Sequence, residues 1–237
     1  RRQRQMCIRD RDIFKQHPHI DEIKIWDGYD DWPTALDIEY FKNNKYDIVF
    51  NPMSDHVDHQ WYTKMHHIQA FGLNHRFNII KDLKIELNQW FEIDLKYKNC
   101  VAITPFSSAG KVRDIPIDFC QKIIDYIHSL GLETIQLGLK THQKLHTTYE
   151  AIGGSIIEDV IAARSCKFLL TTDTGMNWIM SGYNHKVLGL YSSNPYPIHA
   201  PLYNRVPLNP NALYLEAKHV EDINFETIKS YINLLIN

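Results

Sequence analysis

Residues 167–178 read Lys-Phe-Leu-Leu-Thr-Thr-Asp-Thr-Gly-Met-Asn-Trp, and this stretch constrains the fold more than any other. Phe168, Leu169 and Leu170 form a short apolar run, and Thr171 and Thr172 are β-branched, which predicts a buried strand. Asp173, Thr174 and Gly175 break the run, and residues 176–183 read as a helix. A strand, a tight polar turn and a helix start belong to a parallel sheet. In such a sheet the junction lies at the carboxyl ends of the strands, where open α/β folds bind ligands. The N–H groups of a first helical turn and the positive end of its dipole favour an anion there. The plainer reading is a strand–helix connection capped by Asp173.

The neighbouring segments alternate in the same way. Residues 101–104 predict a strand, followed by the loop Pro-Phe-Ser-Ser-Ala-Gly-Lys-Val-Arg-Asp-Ile-Pro. Residues 117–130 place Cys120, Ile123, Ile124, Ile127 and Leu130 on one helical stripe that Gly131 ends. A strand at 134–137 runs into Gly138, and residues 141–152 are expected to form a helix closed by Gly153 and Gly154. Ser155 and Glu158 have capping-box spacing ahead of an apolar helix. After the 167–178 stretch come a strand at 186–191, a Pro- and Asn-rich loop and a final helix at 222–236. That order predicts a complete Rossmann-like domain over residues 100–237, wound right-handed by the crossover rule. The last helix is also a candidate to pack back on an N-terminal domain. Residues 12–99 carry a strand-like segment at 20–26, a helix at 34–42, a strand at 46–51 and a helix at 56–71. Polar residues 74–99 follow, read as an edge strand or two and an inter-domain crossing. The class is therefore α/β, two Rossmann-like domains with parallel sheets, the N-terminal one incomplete.

Residues 1–11, Arg-Arg-Gln-Arg-Gln-Met-Cys-Ile-Arg-Asp-Arg, stand outside this pattern. They are similar to the in-frame translation of a transposase adapter from sequencing libraries, and are read as foreign to the fold. The natural chain is then expected to begin upstream of Asp12, where a signal peptide stays open. Without them Lys+Arg falls from 26 to 21 and Asp+Glu from 28 to 27, so the formal net charge moves from −2 to −6. A mildly acidic chain has no global attraction to nucleic acid or anionic lipid. Cys100, Cys120 and Cys166 are odd in number and irregularly spaced, which reads as reduced, buried thiols. No apolar run approaches the ~20 residues of a membrane-spanning helix.

Three loops of the second half, taken together, resemble the donor-binding domain of the heptosyltransferase family (glycosyltransferase family nine, GT-B fold). The 105–116 loop is similar to the family's Pro-Gly-Ser-Ser loop with its following Lys-x-Trp-Pro. Residues 155–166 are similar to the helix before the key strand. Thr-Asp-Thr-Gly-Met-Asn-Trp is similar to the family's Asp-Thr-Gly-x-x-His, and Gly-Leu-Tyr-Ser-Ser-Asn-Pro follows where a Gly-Pro-Thr-Asp-Pro-like loop is common. The resemblance implies metal-independent transfer of a sugar, heptose or similar, from a nucleotide-diphosphate donor to a hydroxyl of lipopolysaccharide or another surface glycan. It implies no cofactor beyond that donor substrate, and a place in the cytoplasm with peripheral contact at the inner membrane. The implied donor-binding residues are Ser107, Ser108, Lys111, Arg113, Asp173, Thr174, Gly175 and Asn177. Arg113 falls where the family has its phosphate-binding Lys, and Arg would give a planar fork in place of a point charge. Asp173 is implied to face the donor sugar, whose hydroxyls a carboxylate can accept from. The bland reading of Arg113 is a surface ion pair with Asp114 or another acid nearby.

The chain departs from the family at four places. Trp178 stands for the motif His, Phe106 for the loop Gly, and Ile115 for the Trp before Pro116. No acid follows Gly138 to contact a nucleotide ribose. Trp178 is read first as packing and second as a stacking platform. The family's general base, an Asp near the start of the acceptor domain, is expected upstream, so the 237-residue chain is expected to bind donor weakly and to transfer negligibly. Three competing readings remain: a non-catalytic nucleotide-sugar-binding module, a sugar-nucleotide epimerase of the same architecture, and a metal-dependent hydrolase. The last would use Asp55, His56, Asp58, His59, His66 and His67, although their spacing lacks a His pair at i, i+4 enclosing an acid.

Overall fold

Every residue of β1, Cys100–Thr104, is buried, because the strand has hydrogen-bonded neighbours on both edges and helices on both faces. A computed structural model describes residues 92–107, 110–193 and 201–237. The chain divides into two units, and of the described residues all but 201–205 belong to the larger. The smaller unit contributes one helical turn, Leu202–Arg205. In the larger unit a 3₁₀ turn at Leu95–Tyr97 precedes β1, and α1 follows at Ile117–Ser129. Then come β2 Glu133–Gly138, β3 Tyr149–Ile152, α2 Ile156–Ser165, β4 Leu169–Thr171 and α3 Gly175–Gly182. The unit closes with β5 Val187–Ser192, β6 Ala212–Ala217 and α4 Phe225–Ile236.

All strand pairs are parallel and their order is β3-β2-β1-β4-β5-β6, the doubly wound arrangement. Alternation along β1 assigns its two faces. Val101 and Ile103 pack with α1 and α4, whereas Cys100 and Ala102 pack with α2 and α3. The α1 stripe is as the spacing predicts, with Cys120, Ile123, Ile124 and Ile127 fully buried. Each isoleucine contributes about 1.5–3 kcal/mol of burial. Leu130 lies past the helix end and is exposed instead. Gly131, at φ +74°, ends α1 by donating its N–H to the His128 carbonyl. On the same face α4 buries Ile228, Ile232 and Leu235.

Two elements correct the sequence reading. Residues 141–152 form a loop and β3 rather than a helix. The buried Gln136 side chain on β2 takes over the backbone there, donating to the Gln143 carbonyl and accepting from Leu145 N–H, both at 2.8 Å. Thr134 and Thr148 then exchange hydrogen bonds and lead into the β3 pairing. Tertiary contacts thus override a segment that has no apolar stripe of its own. The second element, β6, lies in what read as loop. Its Ala-Leu-Tyr-Leu-Glu-Ala composition suits a helix, but the side chains alternate: Leu213 and Leu215 pack with one core cluster, Ala212 and Tyr214 with the other.

Cys100, Cys120 and Cys166 are free and buried. Burial pushes the Cys120 thiol up to about 12. A hydrogen bond between the other two raises Cys166 and lowers Cys100. Residues 1–91, with the segment similar to an adapter, the strands and helices expected there and the His- and Asp-rich 55–67 stretch, lie outside the described residues, as do Ser108, Ala109 and 194–200. Among the described residues no helix is long and apolar enough to cross a membrane, and no group of three or more His, Cys, Asp and Glu is placed to hold a metal.

Candidate functional site

The strand order reverses between β1 and β4. The chain leaves β1 toward the face of α1 and leaves β4 toward the face of α3, so the two loops part at the carboxyl ends, the position where such folds have their binding crevice. These are the 105–116 loop and the Asp-Thr-Gly turn, which are 57 or more positions apart in sequence yet joined in space by direct contacts.

The loop after β1 is built on its far end. Ile115 is fully buried in the core and its N–H donates to the Pro105 carbonyl at 2.8 Å, closing the loop at its base. The residue that departs from the family's Trp therefore serves as the loop's apolar anchor. Two successive turns, Gly110 N–H to Ser107 O and Arg113 N–H to Gly110 O, each at 3.0 Å, carry the chain between. Lys111 and Val112 are exposed. Asp114 turns inward, and its Oδ1 accepts the Ser107 N–H at 2.6 Å. This backbone donor is held by a carboxylate of its own loop.

The turn after β4 is supported by a row of hydroxyls. Thr104 Oγ1 on β1 donates to Thr171 Oγ1 on β4 at 2.7 Å, and Thr171 Oγ1 lies 3.0 Å from Thr174 Oγ1. Thr172 Oγ1 donates to the Arg113 carbonyl and so ties the two loops together. The cap of α3 is Thr174, not Asp173. Thr174 is extended, at φ −134°, and its hydroxyl accepts from Asn177 N–H at a long 3.4 Å. Asp173 is thereby released from capping and forms an ion pair with Arg113, Oδ2 to Nη1 at 3.1 Å. The bland expectation for Arg113, a pair with a nearby acid, is met, but by Asp173 across the crevice rather than by adjacent Asp114. Gly175 is exposed, and a Cβ built on it would meet nothing within 4 Å. The first turn of α3 contains no acid.

Of the residues singled out from sequence, Ser107 and Arg113 lie on the first loop, with Lys111 exposed on it, and Asp173, Thr174 and Gly175 lie on the second and at the start of α3. Ser108 lies outside the described residues. Asn177 belongs to the core instead: it is fully buried. Its Nδ2 donates to the Tyr191 hydroxyl at 2.5 Å and its Oδ1 accepts from the Tyr214 hydroxyl at 3.4 Å. Burial pushes the Tyr214 phenol up to about 12, which keeps it a neutral donor. Trp178 is half-buried, and among the described residues it packs into neither hydrophobic cluster.

Sequence reasoning missed His142. Its ring packs over Gly138, where a Cβ would come within 2.5 Å of Nδ1, and edge-on to Phe106 with ring centroids 5.2 Å apart. Nδ1 accepts the Leu139 N–H at 3.1 Å, which puts the proton of a neutral ring on Nε2. The signal was present in two of the noted departures, the large side chain at Phe106 and the absence of an acid after Gly138.

No family model and no curated protein matches the chain. Among solved structures it is similar to the glycosyl transferase family 9 protein from Veillonella parvula DSM 2008. That likeness has 15% identity and a TM-score of 0.56, covering 79% of this chain and 64% of that one. It is also similar to E. coli heptosyltransferase WaaC with ADP, at 11% identity and a TM-score of 0.57, covering 77% and 59%. At such identities the likeness is one of fold, a GT-B-like α/β architecture. The chain spans about three fifths of the length of the solved structures it matches.

Proposed function

We propose that residues 100–237 form the donor-binding domain of a glycosyltransferase that uses a nucleotide-diphosphate sugar. The observation that carries this reading is the Arg113–Asp173 pair beside the N-terminus of α3, at the point where the strand order reverses. A diphosphate needs cations and N–H donors. Arg113 brings a planar fork that fits phosphate, Lys111 adds a second positive charge from the rim, and α3 points the positive end of its dipole at the crevice. Ser107 and Ser108 add hydroxyls. Gly175 leaves the helix start bare for close approach of an oxyanion.

In transfer, an acceptor hydroxyl oxygen bonds to the anomeric carbon while the bond from that carbon to the diphosphate breaks. The electron pair and negative charge go to the departing diphosphate, where Arg113 and the α3 dipole stabilise them. The hydroxyl proton goes to a general base that the resemblance assigns to the acceptor domain. The donor sugar is heptose or a similar sugar, and the acceptor is a hydroxyl of lipopolysaccharide or another surface glycan. Transfer proceeds without a metal, in the cytoplasm and peripherally at the inner membrane, and neither nucleic acid nor a further cofactor takes part.

Calorimetric titration of the chain with ADP, UDP, GDP and CDP tests the reading. One nucleoside diphosphate is expected to bind, with the same affinity in EDTA. Arg113→Met should weaken it by about 10–100-fold, the usual range for a charge-assisted hydrogen bond of ~1.5–3 kcal/mol. Absence of binding to all four at millimolar concentration would overturn the reading, as would a binding that needs a divalent cation.

A further inference from the structure

We propose that Phe106 and His142, at the ends of β1 and β2, form the platform on which the base of a nucleoside diphosphate stacks. The site then reads the nucleoside through its base and not through the 2′-hydroxyl of its ribose. The proposal rests on the donor-site reading above and concerns the half of the ligand that the anion-binding groups do not hold.

The register of β1 on β2 pairs Ile103 with Gln136, which carries the 105–116 loop and the end of β2 past the sheet side by side. Gly138 ends β2 at φ +136°, and the His142 ring fills the space a side chain would take there, its Nδ1 within 2.5 Å of where a Cβ would stand. The turn that returns this ring is fixed twice over. His142 N–H donates to the Leu139 carbonyl at 2.8 Å, and Nδ1 accepts the Leu139 N–H at 3.1 Å. Phe106 meets the ring edge-to-face, with centroids 5.2 Å apart and planes at 61°. Phe106 is half-buried and among the described residues belongs to neither core cluster, so the sheet does not use its area. Exposed Leu139 extends the apolar surface at the end of β2.

Charge separates this surface from its neighbour. An Nδ1 that accepts is unprotonated, so the His142 ring is neutral. The residue after Phe106 is Ser107, which begins the segment that carries Lys111 and Arg113, the two cations of the loop. An uncharged aromatic surface thus adjoins a cationic stretch of the same loop, on the β2 side of the β1–β4 junction. A ligand that uses both joins an anion to a flat, uncharged ring, which describes a nucleoside diphosphate and not a free diphosphate. Every base has a π-face, and stacking on an aromatic side chain strengthens binding by about 5- to 150-fold. Residues 139–148 contain no Asp or Glu, so this connection lacks the acid that folds of this order commonly use to hold a ribose hydroxyl. Phe106 acts here as a specificity-determining residue, and His142 positions it.

Three ligands test this by calorimetry: the nucleoside diphosphate that binds, its 2′-deoxy counterpart and inorganic pyrophosphate. They are titrated into the wild-type chain and into Phe106→Leu, which keeps apolar bulk and removes the ring. In Phe106→Leu the nucleoside diphosphate should bind about ten-fold more weakly, while pyrophosphate changes less than about three-fold. Phe106→Tyr, which keeps a π-face, should hold the nucleotide within about three-fold of the wild type. The wild type should bind the 2′-deoxy counterpart within about three-fold of the ribonucleotide. Where thermal melting shows Phe106→Leu to be poorly folded, His142→Ala, which removes the brace, is expected to give the same split between nucleotide and pyrophosphate. If the nucleotide binds the variant as it binds the wild type, if pyrophosphate weakens equally, if Phe106→Tyr fails to hold the nucleotide, or if the 2′-deoxy form is more than about three-fold weaker, the proposal is overturned while the donor-site reading stands. If the wild type binds no nucleoside diphosphate, both fall together.

Discussion

Two helices start at the same end of the sheet, and they start differently. α2 follows β3 and is sealed: Ser155 Oγ accepts from Glu158 N–H at 3.2 Å, and the Glu158 carboxylate accepts from Ser155 N–H at 2.6 Å. Glu158 and Asp159 both lie in its first turn and neutralise the dipole there. α3 follows β4 and has a neutral threonine cap with a 3.4 Å bond, an exposed glycine and no acid in its first turn. One helix end satisfies its own donors. The other leaves its positive end facing the crevice, with a cation and an acid from two loops beside it. The difference teaches that capping chemistry, which is read directly from a sequence, separates a helix start that satisfies its own donors from one that leaves them exposed.

The comparison can be broken from either side. Gly175→Glu would give α3 the acidic first turn of α2. It should weaken nucleotide binding by about ten-fold, because the new carboxylate occupies the position of an incoming anion. It should not harm the fold, since its Cβ meets open space, and thermal melting alongside calorimetry checks both halves. Ser155→Ala removes half of the α2 seal and should lower unfolding free energy by about 1 kcal/mol in a denaturant titration, with nucleotide affinity unchanged. The smallest effect concerns pH. The backbone hydrogen bond from Ser155, then the side-chain bond, hold the Glu158 carboxyl below its ordinary value of 4.5. A depressed carboxyl contributes stability above its unfolded pKa and loses it as pH falls through the folded one. Melting temperature should therefore drop below about pH 4.5, and Glu158→Gln should flatten that part of the curve. The α3 cap is a hydroxyl and contributes nothing to the same slope.

This contrast also shows what was legible in the residues. The capping box at Ser155 and Glu158, the Ile stripe of α1 with its Gly131 stop, and the strand–turn–helix around Asp173 all depend on local spacing, and each stands where the spacing puts it. β3 and β6 depend on what other strands offer. Gln136 captures the 143–145 backbone from a neighbouring strand, and no pattern within residues 141–152 announces that. The same division runs through the site. That Arg113 meets Asp173 follows from the sheet order, not from the spacing between them. Thr174 takes the cap from Asp173 because the 104–171–174 row of hydroxyls already holds it in place. Asn177, one helical turn step beyond, looked like a ligand residue by motif and is a core residue by geometry.

That core position sets how the site yields under load. Asn177 bonds from the first turn of α3 to Tyr191 on β5 and Tyr214 on β6, and the two tyrosine rings stand edge-to-face above Gly189. A Cβ at Gly189 would come within 2.5 Å of Tyr214, so that packing has no slack. The helix start is thus riveted to two strands and stiff along its axis. The loop opposite is held at its base by Ile115, while Lys111 and Val112 extend into solvent. The bond from Thr172 to the Arg113 carbonyl and the Arg113–Asp173 pair fasten that loop to the same support, so both sides of the junction share the stiffness of the sheet.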